Sequence, residues 1–133
     1  MDDLQFATAE ACQKAACDDT LSFPEIIGKL ASSGFEGYAV DYRRSTQIYY
    51  TPDGTSAEFA LLPAGDVVAA DFDSAGVQAL VRWAQSGSVD YTYADFCAQA
   101  KAAGCAGYLA SFSGRRVVYY GRTAETHVEH FPQ

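Results

Sequence analysis

The sequence predicts an α+β fold in which two helix-hairpin repeats, related by a pseudo-twofold axis, build one antiparallel or mixed sheet with helices packed on one side. Three observations carry this expectation. A single offset of 70 residues superposes Gly34 on Gly104, Gly37 on Gly107, Tyr38 on Tyr108, and Tyr49 and Tyr50 on Tyr119 and Tyr120, more identities than average composition supplies over about 30 residues. Each superposed stretch opens on a helix-start signal and reaches a glycine where the helix must stop. After each glycine, short aromatic and β-branched runs alternate with polar turns, as in hairpins. The 133 residues fit one domain, with repeats at about 22–62 and 92–131 and a helical insertion at about 63–89.

The elements follow in order. The stretch near Phe6 to Cys17 reads as an N-terminal helix. Ser22 with Glu25 forms a capping box, in which hydroxyl and carboxylate satisfy the free amides of the first turn. Pro24 costs little at such a position, where the amide has no intrahelical partner. Thr92 with Asp95 is a weaker copy of that box. The helices should run near 23–33 and 93–103 and end at Gly34 and Gly104, because glycine adopts the left-handed cap without steric penalty. Strands are expected at Tyr38–Tyr42, Gln47–Thr51 and Ala57–Leu62, with the turn Pro52, Asp53, Gly54 before the third. Their counterparts are Tyr108–Phe112, Val117–Gly121 and His127–Phe131. The insertion should hold a strand at Val67–Ala70 and a helix from Ser74 to Gln85, whose apolar stripe is Val77, Leu80, Val81 and Ala84 and whose stop is Gly87. Trp83, at the stripe's edge, reads as a packing residue.

Composition excludes several functions. Nine Lys plus Arg against 17 Asp plus Glu give a net charge of −8, which opposes nucleic-acid binding, since phosphates are held by clustered basic residues. The acidic opening Met1, Asp2, Asp3 carries no export signal, no apolar run is long enough to span a bilayer, and a cytoplasmic location is expected. Cys12, Cys17, Cys97 and Cys105 lack the paired spacing of a zinc site and read as free structural thiols. No P-loop, nucleophile elbow or dinucleotide glycine pattern occurs, so no cofactor or metal is expected.

Four groups of residues are candidates for function. His127 and Glu129, two apart in a strand, share a face and suit a general acid and base or a ligand pair, whereas His127 and His130 point to opposite faces. Asp18 with Asp19, and Asp71 with Asp73, flank helices and read as caps or loop residues. Within each second strand, Ile48 with Tyr50 and Val118 with Tyr120 share one face. If the helices cover that face, Tyr49 and Tyr119 lie together on the opposite one, as rigid rings with polar tips. Arg43 and Arg44, and Arg115 and Arg116, occupy the two hairpin turns, where guanidinium groups such as those of Arg44 and Arg116 could clamp an anion beside the tyrosines.

The spacing of the capped helix, Gly34, Tyr38, Tyr49 and Tyr50, then Phe96, Cys97, Gly104, Tyr119, Tyr120 and the closing Phe131, Pro132, Gln133, resembles the bacterial domain of unknown function 1398 family. The likeness runs from Phe23 onward, and some members of that family are labelled phage envelope proteins. It implies a chain of this length without naming a mechanism or catalytic residues. The expectation is therefore a nonenzymatic domain that binds a small anionic or aromatic ligand or a protein partner through Tyr49, Tyr119, Arg44 and Arg116, a homodimer being one such assembly. The alternative is a small hydrolase or thiol-dependent enzyme using a cysteine or the His127/Glu129 pair.

Overall fold

The computed structural model describes residues 1–61 and 66–132. Among these residues, four helices and a six-stranded antiparallel sheet form an α+β fold. The chain runs α1 (Asp3–Cys17), α2 (Phe23–Ser32), β1 (Gly37–Asp41), β2 (Thr46–Tyr50), β3 (Ser56–Ala60), α3 (Ser74–Gln85), α4 (Tyr93–Ala102), β4 (Cys105–Ser111), β5 (Arg116–Gly121) and β6 (Thr126–His130). The expected helices and hairpin strands form with ends shifted by a few residues, and Leu62 of the third expected strand lies outside the described residues. Val67–Ala70 is no strand. It passes under the end of α4, where the Ala69 amide donates to the Lys101 carbonyl and Arg122 Nη1 donates to that of Val68, and pairs in no ladder.

Local chemistry sets the helix ends. Ser22 and Glu25 exchange the two bonds of a capping box, while Thr92 only accepts from the Asp95 amide. Asp2 and Gln5 form a further box at α1. Asp73 caps α3 through the Gly76 amide. Gly104 stands at φ +82, and a Cβ there would run into the Asp71 carbonyl. Only glycine meets both demands, a left-handed backbone and a close approach by another chain segment.

The strand order is β3-β2-β1-β4-β5-β6. β1 and β4 pair at the centre, Gly37 opposite Ser111 through Ala39 opposite Leu109 to Asp41 opposite Gly107. Turn conformations recur 70 residues apart: Gly34 and Gly104, Ser45 and Arg115, and Gly54 and Ala124 all have positive φ. Hydrogen bonds recur likewise. Tyr42 N–H to Ala106 C=O is matched by Phe112 N–H to Glu36 C=O, and Leu61 N–H to Ser45 C=O by Phe131 N–H to Arg115 C=O.

The core lies between the sheet and the helices. Tyr38, Val40, Tyr49, Tyr108, Ala110, Val117 and Tyr119 fill the sheet side, and Ala9, Cys12, Ile26, Leu30, Val77, Val81, Phe96 and Ala100 the helix side. The alternate strand residues Ile48, Tyr50, Val118 and Tyr120 are only half buried, and Leu109 and Val128 on the same face are 47% and 39% exposed. The helices therefore cover one face and leave the other open.

Candidate functional site

The covered face is the one that carries Tyr49 and Tyr119, which corrects the expectation that they form an open aromatic surface. Tyr49 is 1% and Tyr119 5% exposed. Tyr49 is wedged among Phe35, Tyr38 and Phe59, while Tyr119 stacks on Tyr108 with ring centres 5.2 Å apart. The arginines do not assemble either. β1 and β4 are antiparallel, so the β1–β2 turn with Arg44 lies beside the start of β4, and the β4–β5 turn with Arg116 beside the start of β1. The length of β1, about 13 Å at the usual rise per residue, separates the two turns. Both arginines are exposed, and Arg116 Nε donates to the Gly114 carbonyl. No anion clamp forms from this pair.

What the sheet and helices enclose instead is an aromatic cavity of about 40 Å³, room for roughly three waters or a few heavy atoms. Its floor is Tyr38, Gln47, Tyr108 and Tyr119 from β1, β2, β4 and β5; the α1–α2 loop brings Asp19 and Leu21, and the segment entering α4 brings Tyr91 and Tyr93. Several wall residues stand 70 apart in sequence: Leu21 and Tyr91, Phe23 and Tyr93, Ile26 and Phe96, Tyr38 and Tyr108. Gln47 breaks the matching, since Val117 stands 70 residues on. Gln47 is 4% exposed, and its Oε1 has no hydrogen-bond partner among the described residues. A buried acceptor left without a donor is costly, which sets this side chain apart from the ordinary core.

The phenols around it are polar but neutral. Tyr93 and Tyr108 hydroxyls lie 3.3 Å apart. Burial pushes the Tyr38, Tyr93 and Tyr108 hydroxyls well above the ordinary phenol value, and pushes Tyr91 and Tyr119 up as well. The charged side chain at the wall is the exposed Asp19 carboxylate, whose Oδ1 accepts from the Tyr93 amide at 2.7 Å while its own backbone is left-handed. Trp83 packs edge-on against Tyr91, and its indole N–H donates to Asp90.

The residues of the enzymatic alternative are placed elsewhere. Cys12, Cys97 and Cys105 are buried; burial pushes Cys97 and Cys105 to about 11 and raises Cys12 and Cys17. Neutral thiols are poor nucleophiles. His127 Nε2 and Glu129 Oε2 are 2.5 Å apart, the shared face expected of them, but Arg82 Nη1 holds the other carboxylate oxygen at 2.6 Å. Burial works to raise the Glu129 carboxyl, and the bonds from Arg82 and His127 outweigh it, so that the group sits below its usual range. This makes an ion-paired bridge from α3 to β6. Among the described residues, no cluster of His, Cys, Asp or Glu suits a metal ion, and no helix is long and apolar enough to cross a membrane.

Sequence reasoning missed Gln47, Tyr91 and Tyr93 as site residues. A signal for Gln47 was available: it is the polar position where the second stretch has valine. Neither a protein-family model nor a curated protein matches this chain.

Proposed function

We propose that this chain is a nonenzymatic domain that binds a small ligand in the aromatic cavity between its sheet and its helices. The observation that supports it is the cavity itself, with Gln47 on its wall and the buried Gln47 Oε1 without a donor. Small-molecule sites are apolar hollows with a few fixed polar groups, and here the surrounding phenols and the carboxamides of Gln47 and Gln85 supply them. Thiols pushed upward and a Glu129 already held by Arg82 and His127 favour binding over chemistry. A thermal-shift screen of small amines, alcohols, phenols and carboxylates on the wild type and on Gln47→Leu tests the reading. At least one class should raise the wild-type melting temperature and leave the variant unmoved; identical responses from both proteins to every compound would remove it.

The relation of the two halves belongs to the same proposal. Both read helix, helix, strand, strand, strand, and matched left-handed residues and turn hydrogen bonds favour two copies of one unit about a pseudo-twofold axis near Ala39 and Leu109. On that reading α3 corresponds to α1 and is part of the second copy, where the sequence suggested an insertion. The spacing of Gly34, Tyr38, Gly104 and Tyr108 also keeps the resemblance to the domain of unknown function 1398 family as a proposal.

A second reading, a homodimer, draws on the open sheet face with Tyr50, Leu109, Tyr120 and Val128. Light scattering that finds a monomer at high concentration would remove it.

A further inference from the structure

Resting on the binding reading above, we infer that the cavity selects a small protonated amine. The charge and aromatic character of its wall argue for a positive charge. Much of the wall is tyrosine ring, from Tyr38, Tyr91, Tyr93, Tyr108 and Tyr119, and a cation beside aromatic rings gains most when it is shielded from water. The carboxamides of Gln47 and Gln85 on the wall carry acceptor oxygens, and an ammonium group has donors and no acceptor. The phenols stay protonated, so their oxygens accept hydrogen bonds without adding full charges to the interior. Among the described residues no Lys, Arg or His lines the cavity, whereas the Asp19 carboxylate stands at its edge, fixed by the Tyr93 amide.

An anion in the same place would meet tyrosine rings and the Asp19 carboxylate, with no basic side chain among the described lining residues to balance it. A neutral alcohol can hydrogen-bond to the same groups but carries no charge for the rings or the Asp19 carboxylate to stabilise. The volume of about 40 Å³ limits the enclosed part to a head group of a few heavy atoms, with any longer tail leaving past the half-buried Leu21 and Tyr91. The chemical class is thus a primary or methylated ammonium on a slim chain.

The test is an NMR titration of the whole isotope-labelled chain with ethylammonium chloride, ethanol and sodium acetate at matched ionic strength, following the Gln47 side-chain amide and the tyrosine rings. Ethylammonium should shift these signals to saturation at concentrations about tenfold lower than ethanol, and acetate should not shift them. Asp19→Asn should weaken ethylammonium several-fold and leave ethanol unchanged. If ethanol or acetate saturates the same signals as readily as ethylammonium, the cavity binds but the selection for cations is wrong. If none of the three probes shifts them, the binding reading itself falls.

Discussion

Replacing Gln47 with leucine is the sharpest perturbation this fold offers, because most buried polar groups stabilise and this one should not. Oε1 loses its hydration on folding and gains no protein donor, a deficit of about 1–3 kcal/mol. Leucine is one atom shorter, carries no polar atom, and at this position shares the sheet face with Val40, Tyr49 and Phe59. Gln47→Leu should therefore raise the stability of the unliganded protein by about 1–2 kcal/mol, on the order of 5 °C in melting temperature. Gln47→Glu supplies the opposite arm. Burial raises the folded pKa of a carboxyl at this position above its unfolded value, so the variant should approach wild type in acid and lose stability as pH rises through the carboxylate range. Urea unfolding of the three proteins, read by tyrosine fluorescence and far-UV circular dichroism, measures both effects. A Gln47→Leu protein less stable than wild type by more than about 1 kcal/mol would refute the reasoning, since the oxygen would then be engaged in an interaction the fold depends on.

Other outcomes follow from the same contacts. Gly104→Ala should cost about 2–4 kcal/mol, since the new methyl meets the Asp71 carbonyl in addition to the left-handed backbone, whereas Gly34→Ala meets only the flexible Gln5 side chain and should cost about 1–2; equal losses in urea would contradict the close approach. Glu129 titrates below its usual value when folded, so the unfolded chain binds more protons and stability must fall as pH drops through that carboxyl range. Glu129→Gln should flatten the fall, and an unchanged dependence of melting temperature on pH would count against the Arg82 bridge. Thiol labelling at pH 8 should reach the half-buried Cys17 first and Cys97 and Cys105 only as fast as the protein opens; rapid labelling of Cys97 would reverse the reading of these thiols as structural.

Much of the scaffold was legible because it is written in short-range chemistry. Ser22 with Glu25, Gly34, Gly104 and the Pro52, Asp53, Gly54 turn each act within a few residues, and each does what its spacing implies. The face of the sheet was not legible, and Gln47 is the reason. Alternation assigns the more apolar set to the core, and in β2 that set is Ile48 and Tyr50, against Gln47 and Tyr49. In β5 the choice is between Val117 with Tyr119 and Val118 with Tyr120, which differ too little to decide it. A glutamine buried without a partner thus inverted the assignment, and that same side chain lies on the cavity wall. Nor could turn composition alone show that Arg44 and Arg116 end up apart: that depends on the antiparallel pairing of β1 with β4, a contact between residues about 70 apart.

The central β1–β4 ladder also sets a folding order. Among the described residues it is the sole strand pairing between the two halves, the other ladders closing over short turns within one half. Hairpins that close over short turns pay little loop entropy and form early; a pairing across 70 residues pays more and comes late. Since Tyr38 and Gln47 come from one side of that ladder and Tyr108 and Tyr119 from the other, the cavity has no existence before the halves dock. Hydrogen exchange at the Tyr42 and Phe112 amides, which donate across the two halves to the Ala106 and Glu36 carbonyls, would then report the life and death of the pocket, and a bound molecule would act as a clasp that slows separation without touching the hairpins themselves.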